Sequence, residues 1–160
     1  MTQEQARRDP HQLKLLLRLP QSEDGLTPYG IESLWVSPRP DGTYEIDNIP
    51  FFSYDVAVGD VVRAEEDGGD LYFEELVQAS GNSVIRVKLP NEAELLRLHD
   101  ELRSLGCDSE SFGTLLAVNI PAQVAYEPIF RLLEKGEKDD RWGFEEAVLT
   151  HKSPFTAERA

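Results

Sequence analysis

The sequence predicts an α+β protein built from two parts, and three observations support this fold class. In the first half, short alternating apolar segments are separated by turn residues at intervals of roughly ten residues, which favours a small bent antiparallel sheet or an SH3-like partial barrel. The second half contains two segments with apolar residues at helical spacing. These segments alternate with strand-like runs in the order βαββαβ, which predicts a ferredoxin-like split βαβ half.

The length of 160 residues suits one domain, or two small subdomains that share a core. The polar residues 1–11 show no periodicity and predict a loose N-terminal tail. We expect a β-rich subdomain over 12–83, a ferredoxin-like α+β subdomain over 84–152 and a C-terminal tail over 153–160. Because the apolar residues gather in short patterned segments, a packed core is favoured over disorder.

Alternation of apolar and polar residues defines the strands of the first half. Leu13, Leu15 and Leu17 alternate with Lys14 and Arg18, which is the pattern of a half-buried strand. Pro50 interrupts a later apolar stretch and cannot donate to a central ladder, so that stretch predicts a buried bend. The predicted strands are 11–19, 31–37, 43–47, 61–64 and 71–78, with a loop at 21–29, the bend at 48–54 and an apolar segment at 56–58.

A helix is predicted between Asn91 and Gly106, after a strand at 84–89. Asn91 is a suitable N-cap residue, Glu94 stands three residues later as its capping-box partner, and Gly106 is a typical C-terminal stop. The apolar stripe that this helix would bury consists of Leu95, Leu98, Leu102 and Leu105.

The remaining chain predicts two strands, a second helix and a last strand. The strands are expected at 107–112 and 114–120, and the latter is a continuous apolar run suited to a central position. The helix is expected over 124–135, with Pro128 in its first turn and Gly136 at its end. The last strand is expected over 142–150.

The strongly negative charge limits the classes of partner. The chain has 30 acidic residues against 16 Lys and Arg, a formal net charge of -14. Such a field repels phosphate groups, so nucleic acids and anionic membranes are disfavoured, whereas a basic protein is a natural partner. The alternative is that the acidity serves solubility alone. No secretory signal or membrane-length apolar run is present in the sequence, so we expect the cytoplasm.

Several short motifs resemble a bacterial protein family. They are the segments Ser33-Leu34-Trp35-Val36, Tyr44 to Phe52, Val58-Gly59-Asp60-Val61-Val62 and Ser80-Gly81-Asn82-Ser83-Val84-Ile85-Arg86. As an ordered set these segments resemble the family called domain of unknown function 4265 (DUF4265), from about Leu34 to His151. The resemblance implies a compact cytoplasmic bacterial protein, and it transfers no activity or catalytic residue.

A cluster of acidic residues around a predicted turn is the first candidate site. It could clamp a basic protein surface, and the alternative is a solvated hairpin tip. The spacing does not reproduce a Ca²⁺ loop, which needs oxygen ligands at alternating positions and a bidentate acid at its end. The candidate partner-binding residues are Glu65, Glu66, Asp67, Asp70, Glu74 and Glu75.

The predicted bend is the second candidate site. Asp47 and Asn48 are followed by Phe51 and Phe52, and aromatic walls beside a carboxylate and an amide are also found in small-molecule pockets. The architectural alternative is that the polar residues cap the bend while the aromatic residues fill the core.

No catalytic residue, metal site or cofactor is predicted. His11, His99 and His151 are not spaced as zinc ligands, and Cys107 has no basic neighbour that would lower its thiol pKa, so it is interpreted as a structural thiol. The residues around Ser80 and the glycine pair Gly68-Gly69 match neither a nucleophile elbow nor a phosphate loop. A pair of carboxylates acting in hydrolysis remains open, because such pairs carry no sequence spacing.

These observations lead to one expected function and two alternatives. The expectation is a non-enzymatic, acidic cytoplasmic interaction protein of the immunity or antitoxin type, which binds and neutralises a basic toxin domain through charge attraction. The first alternative is a regulatory module that binds a small ligand at the bend. The second alternative is a hydrolase.

Overall fold

The computed structural model describes residues 10–20 and 30–152. Their chain begins as a five-stranded barrel and continues as a four-stranded sheet with two helices. The barrel strands are β1 (Leu13–Arg18), β2 (Ile31–Pro38), β3 (Tyr44–Ile46), β4 (Val61–Asp67) and β5 (Asp70–Gln78). The second sheet contains β6 (Ser83–Lys88), β7 (Asp108–Phe112), β8 (Leu115–Ile120) and β9 (Gly143–Val148), and the helices are α1 (Leu95–Ser104) and α2 (Glu127–Lys138).

The barrel closes around an apolar core because alternate residues of its strands point inward. Strand β1 pairs antiparallel with β2 and parallel with β5, through Leu15 opposite Leu71 and Leu16 opposite Tyr72. The predicted alternation in β1 is confirmed at Leu15 and Leu17, which are buried, whereas Leu13 at the start of the strand is exposed. The buried residues of this core are Leu15, Leu17, Leu34, Val36, Ile46, Val56 and Val62.

The predicted fold class, an SH3-like partial barrel or small bent sheet joined to a ferredoxin-like α+β half, is wrong. Strands make up 42% and helices 16% of the described residues, so the protein is mostly β. The first part is a closed barrel and the second part is a further sheet. Closure of the barrel depends on the parallel pairing of β1 with β5. The sequence did not predict this pairing, because alternation along a strand indicates which of its faces is buried and not which strands are neighbours.

The second sheet is covered on both faces. Its strand order is β7-β8-β6-β9, and each neighbouring pair is antiparallel. Both helices pack on one face, where Leu98, Leu102, Ile129 and Leu133 join Ile85, Val87, Leu116, Val118 and Ile120 in one core. The opposite face meets the segment between β3 and β4, where Ile49 and Ala57 pack with Val84 and Ala117.

The start of α1 differs from the predicted capping box. The helix begins at Leu95 without a side-chain cap, and the Asn91 carboxamide oxygen accepts a hydrogen bond from the Ala93 N–H at 2.9 Å. Glu94 turns away and binds Arg141 with oxygen–nitrogen distances of 2.7–3.2 Å. The attraction of a guanidinium for a carboxylate therefore replaces the expected cap. The buried positions Leu98 and Leu102 confirm the predicted stripe.

Helix α2 runs further than predicted, and Gly136 lies inside it. The helix was expected over 124–135, with Gly136 as its stop. A Cβ atom at Gly136 would lie 2.0 Å from Cζ2 of Trp142, so this glycine lets the indole ring pack directly on the helix backbone. Its role is close packing, which a stop pattern in the sequence does not distinguish.

Parts of the predicted tails and one loop lie outside the described residues, namely residues 1–9, 21–29 and 153–160. Across residues 10–20 and 30–152, neither helix has the length and apolarity needed to cross a membrane.

Candidate functional site

Two buried charged side chains hold the bend between β3 and β4 from opposite sides. The carboxylate of Glu32 is 7% exposed and accepts hydrogen bonds from the N–H groups of Phe51 at 2.6 Å, Phe52 at 3.2 Å and Ser53 at 2.8 Å. Arg86 is 3% exposed and donates to the carbonyl oxygens of Ser53 at 2.9 Å and Phe52 at 3.3 Å. Glu32 belongs to the barrel and Arg86 to the second sheet, so the bend joins the two parts.

The outer side of Arg86 is also occupied. Its Nε lies 3.2 Å from Oε1 of Glu145, and the Tyr54 hydroxyl donates to both carboxylate oxygens of Glu145, at 3.0 and 2.9 Å. The guanidinium lies 4.6 Å from the centre of the Tyr54 ring. Burial and the neighbouring Glu145 raise the pKa of Tyr54, so its hydroxyl stays protonated and donating. Arg86 is therefore bonded on both sides, while its outer partners Tyr54 and Glu145 remain exposed at the surface.

A second polar network fixes the turns on either side of β4 and β5. Asp60 is 3% exposed, and one of its carboxylate oxygens accepts a hydrogen bond from the Ser80 N–H at 2.8 Å. Ser80 and Asn82 both donate to the Val58 carbonyl, at 2.7 and 2.8 Å. The Asn82 carbonyl oxygen accepts a hydrogen bond from the Ala122 N–H at 2.8 Å. The motif residues Asp60, Ser80 and Asn82 are therefore architectural.

A polar cleft of about 300 Å³ lies beside β7, the edge strand of the second sheet. The segment after β3 contributes Asp47 and Asn48 to its lining, and α1 contributes His99 and Arg103. Strand β8 contributes Asn119. The cleft therefore combines side chains from the barrel, a helix and the second sheet, which meet only in the folded protein.

Asn119 is the unusual residue of this cleft. Its side chain is 6% exposed, and its Oδ1 atom has no hydrogen-bond partner among the described residues. A buried carbonyl oxygen without a partner costs about 1–3 kcal/mol, and native proteins retain few such groups. The same cleft that Asn119 lines is open to solvent, so a molecule entering the cleft can supply the missing donor.

Carboxylates dominate the charge of the lining. Asp47, Asp108 and Glu110 line the cleft together with a single guanidinium, that of Arg103. The Asp47 carboxylate also accepts a hydrogen bond from the Gln12 side chain. Opposite-charged ligands are attracted into concave sites where one sign of charge is in excess.

Two side chains with a nucleophilic atom, Cys107 and Ser109, line the cleft. Burial, and to a smaller extent the negative charge of Asp108, raises the pKa of Cys107 to about 12, so the thiol is neutral at physiological pH. The Ser109 hydroxyl is hydrogen-bonded to Nδ1 of His99, but Ser109 is only 5% exposed. Neither side chain is an exposed, ionised nucleophile in this structure.

A serine–histidine pair elsewhere, with Ser83 buried and His151 partly buried, has a structural role. The Ser83 hydroxyl lies 2.6 Å from Nδ1 of His151, and Nε2 of the same ring lies 2.9 Å from the Pro121 carbonyl oxygen. Because a carbonyl only accepts, Nε2 carries the proton and Ser83 donates to Nδ1. Ser83 has no exposed surface and also accepts the Thr150 N–H, so the pair fastens the chain after β9 to β6.

The structure separates the predicted pocket residues into two groups. Asp47 and Asn48 line the cleft, and the side-chain oxygen Oδ1 of Asn48 also accepts a hydrogen bond from the backbone N–H of Trp35 at 2.7 Å. Phe51 and Phe52 instead stack with Phe112 at the end of β7, with ring centres 5.9 and 6.2 Å apart from it.

The acidic candidates lie on the β4–β5 hairpin but do not share one face. The cross-strand pairs Asp67 with Asp70 and Arg63 with Glu75 place these residues on the same face as Glu65. Glu66 pairs with Leu71 on the other face, and Glu74 lies at a register shift. Arg63 forms an ion pair with Glu75, so Glu65, Asp67 and Asp70 form the acidic face of the hairpin.

The family profile described as domain of unknown function (DUF4265) matches residues 32–144. The chain belongs to the DUF4265 family. This confirms the resemblance seen in the motifs. The DUF4265 chain is also similar to a solved structure titled "Novel crystal structure of a hypothetical protein from Neisseria gonorrhoeae", with a TM-score of 0.74 and 24% sequence identity over 91% of this chain and 100% of that chain. That similarity shows a shared fold. Comparison with curated proteins gives no match.

Most residues that line the cleft of this DUF4265 protein were not predicted as site residues, among them His99, Arg103, Asp108, Glu110 and Asn119. One pattern in the sequence pointed to Asn119, because it is the only polar residue between Leu115 and Ile120, a run predicted as a central strand. A polar side chain in a strand covered on both faces needs a partner. His99 and Arg103 lie on a helix with an exposed side, where such residues are ordinary.

Proposed function

We propose that this DUF4265 protein is a non-enzymatic, cytoplasmic binding module that takes a small polar ligand in the cleft beside β7. The observation that carries the proposal is the buried Oδ1 atom of Asn119, which has no partner among the described residues and lines the cleft. A ligand N–H or O–H that reaches this atom would supply the hydrogen bond that the buried oxygen lacks.

The size and composition of the cleft support this function. A volume of about 300 Å³ stands at the lower end of the range for ligand sites, which favours a metabolite-sized molecule. Ligand sites place a few polar groups to orient the molecule, and here Asn48, His99 and Asn119 are such groups. The neutral thiol of Cys107 supports binding over nucleophilic catalysis.

A thermal-shift screen of a metabolite library tests the proposal. A ligand at about 100 times its Kd stabilises its target by roughly 2.7 kcal/mol, which such a screen detects. The screen is run on the native protein, on Asn119→Leu and on Asn91→Ser, a matched change at an exposed asparagine away from the cleft. We expect hits that persist in Asn91→Ser and disappear in Asn119→Leu. A screen without hits, or hits of equal size in Asn119→Leu, would contradict the proposal and leave an ordered water as the occupant.

The acidic face of the hairpin supports a second candidate function, the capture of a basic protein, as in an immunity or antitoxin protein. Glu65, Asp67 and Asp70 share that face, and an excess of one charge accelerates association with an oppositely charged partner. The prediction is that the native protein rescues cells from a toxin encoded beside it.

The variant that tests this second candidate carries Glu65→Gln, Asp67→Asn and Asp70→Asn together. Its control removes the same number of negative charges from the α2 region, at Glu127, Glu134 and Asp139. Pull-down of a basic protein should weaken in the hairpin variant and persist in the control. Equal weakening in both would attribute the interaction to net charge, and rescue from no toxin would remove the immunity function.

A further inference from the structure

The hydrogen-bonding groups and charges of the cleft lining indicate the chemical class of its ligand. We infer that the ligand is a small organic cation, a primary ammonium or a guanidinium, whose N–H group donates to the Asn119 side chain. This inference rests on the proposed function, because it describes the molecule that the proposed site would bind.

The first argument is the hydrogen-bonding character of the buried end of the site. The Oδ1 atom of Asn119 is a carbonyl oxygen, so it accepts hydrogen bonds and cannot donate them. A ligand carboxylate or phosphate would place its own hydrogen-bond acceptor oxygens against the Asn119 Oδ1 atom, which is also an acceptor. Ammonium and guanidinium groups present several donors, and their charge strengthens the hydrogen bonds that they form.

The second argument is the charge of the wall. Asp47, Asp108 and Glu110 place three carboxylates on the lining, and Arg103 is the one guanidinium among the lining residues. The whole chain adds a formal net charge of -14. An anionic ligand would enter against both fields, whereas a cation is attracted by the protein at long range and by the lining at short range.

The third argument is that the acidic residues of the lining and Asn119 come from different elements of the fold. Asp108 precedes Ser109 on β7, Asp47 follows β3, and Asn119 belongs to β8, so three separate parts of the chain contribute residues with acceptor groups to the lining of one cleft. The hairpin acids Glu65, Asp67 and Asp70, by contrast, do not line this cleft, and among the described residues the hairpin contains no buried side-chain acceptor without a partner.

Calorimetric titration with putrescine, butane-1,4-diol and succinate tests the inference, because these probes share a chain length and differ in charge. We expect saturable binding of putrescine and none of the other two. Asn119→Leu should weaken putrescine binding about tenfold or more, since the buried acceptor is lost. Asn119→Asp should strengthen it, because the acceptor then carries a negative charge.

Two matched variants separate a specific site from general attraction to an acidic protein. Asp108→Asn removes one negative charge from the cleft, and Asp67→Asn removes one from the hairpin. Weaker putrescine binding in Asp108→Asn alone supports the inference. Equal weakening in both variants, binding of succinate, or undiminished binding in Asn119→Leu would overturn it.

The failure of the inference is distinguishable from failure of the proposed function. If the metabolite screen yields neutral or anionic ligands whose effect disappears in Asn119→Leu, the cleft is a binding site and the cation class is wrong. If no ligand of any charge depends on Asn119, both the function and the ligand class are wrong.

Discussion

Two buried polar regions of this protein differ in whether their hydrogen bonds are complete. In the bend at 50–53, Glu32 accepts from three consecutive N–H groups while Arg86 donates to the carbonyl oxygens on the other side. In the cleft, the Asn119 Oδ1 atom has no partner within residues 10–20 and 30–152.

This difference separates a region that stabilises the fold from a region that has an acceptor available for a ligand. A complete buried network stabilises one arrangement of the chain and has no capacity left for a ligand. An incomplete group lowers stability in the free protein and gains a partner only when something binds. The bend therefore holds the barrel against the second sheet, and the cleft beside it is where binding is expected.

The largest effect is expected from Glu32→Ala. Removing the carboxylate leaves the N–H groups of Phe51, Phe52 and Ser53 without their acceptor, and we expect a loss of about 3–5 kcal/mol in the free energy of unfolding. Urea denaturation measures it. Glu32→Gln keeps an acceptor oxygen and should lose less. If the alanine variant lost under about 1 kcal/mol, the bend would not depend on this network.

Arg86→Lys should cost less, about 2 kcal/mol. Lysine keeps the charge but not the planar fork that reaches the Phe52 and Ser53 carbonyls together. A double-mutant cycle with Glu32→Gln is the sharper measurement, because both side chains hold the same bend. We expect the combined loss to differ from the sum of the single losses by more than about 0.5 kcal/mol. Strict additivity would show that the two sides of the bend are independent.

Asn119→Leu should behave in the opposite way to the bend variants. It replaces an unsatisfied buried carboxamide by an apolar side chain of similar size, so the free energy of unfolding should be unchanged or higher by about 1 kcal/mol. The same urea series measures it. A loss of more than about 2 kcal/mol would mean that Asn119 has a structural partner, and the contrast between bend and cleft would disappear.

These expectations show which features a sequence reveals. The alternation of Leu13, Leu15 and Leu17 predicted β1, and the leucine stripe predicted α1. Both elements could be predicted because the spacing of apolar residues along one segment indicates its secondary structure and the face that it buries. Barrel closure was missed because it depends on contacts between β1 and β5, which are distant in the chain. Of the residues that line the cleft, only Asp47 and Asn48 were among the predicted pocket residues, because they belong to a recognisable bend, whereas His99 and Asn119 join them only through tertiary packing.

The last prediction concerns Cys107, which lines the cleft but whose thiol should be unreactive in the folded protein. Its pKa is raised from 9.0 to about 12, so the folded thiol reacts at pH 8 about a thousandfold more slowly than an unfolded one. A thiol reagent monitored in water and in urea measures this. Since the folded pKa is the higher, the associated stability is complete below pH 9 and is lost as the pH rises toward 12. Rapid labelling of the folded protein would show an accessible thiolate.

The most direct measurement is the side-chain carbonyl ¹³C resonance of Asn119 during titration with putrescine. Asn82 is the internal reference, because its carbonyl oxygen already accepts the Ala122 N–H. We predict that the Asn119 resonance shifts and saturates at the concentration at which calorimetry saturates, while the Asn82 resonance stays in place. Bound putrescine with an unchanged Asn119 resonance, or equal shifts at both residues, would contradict the assignment of the cleft as the binding site.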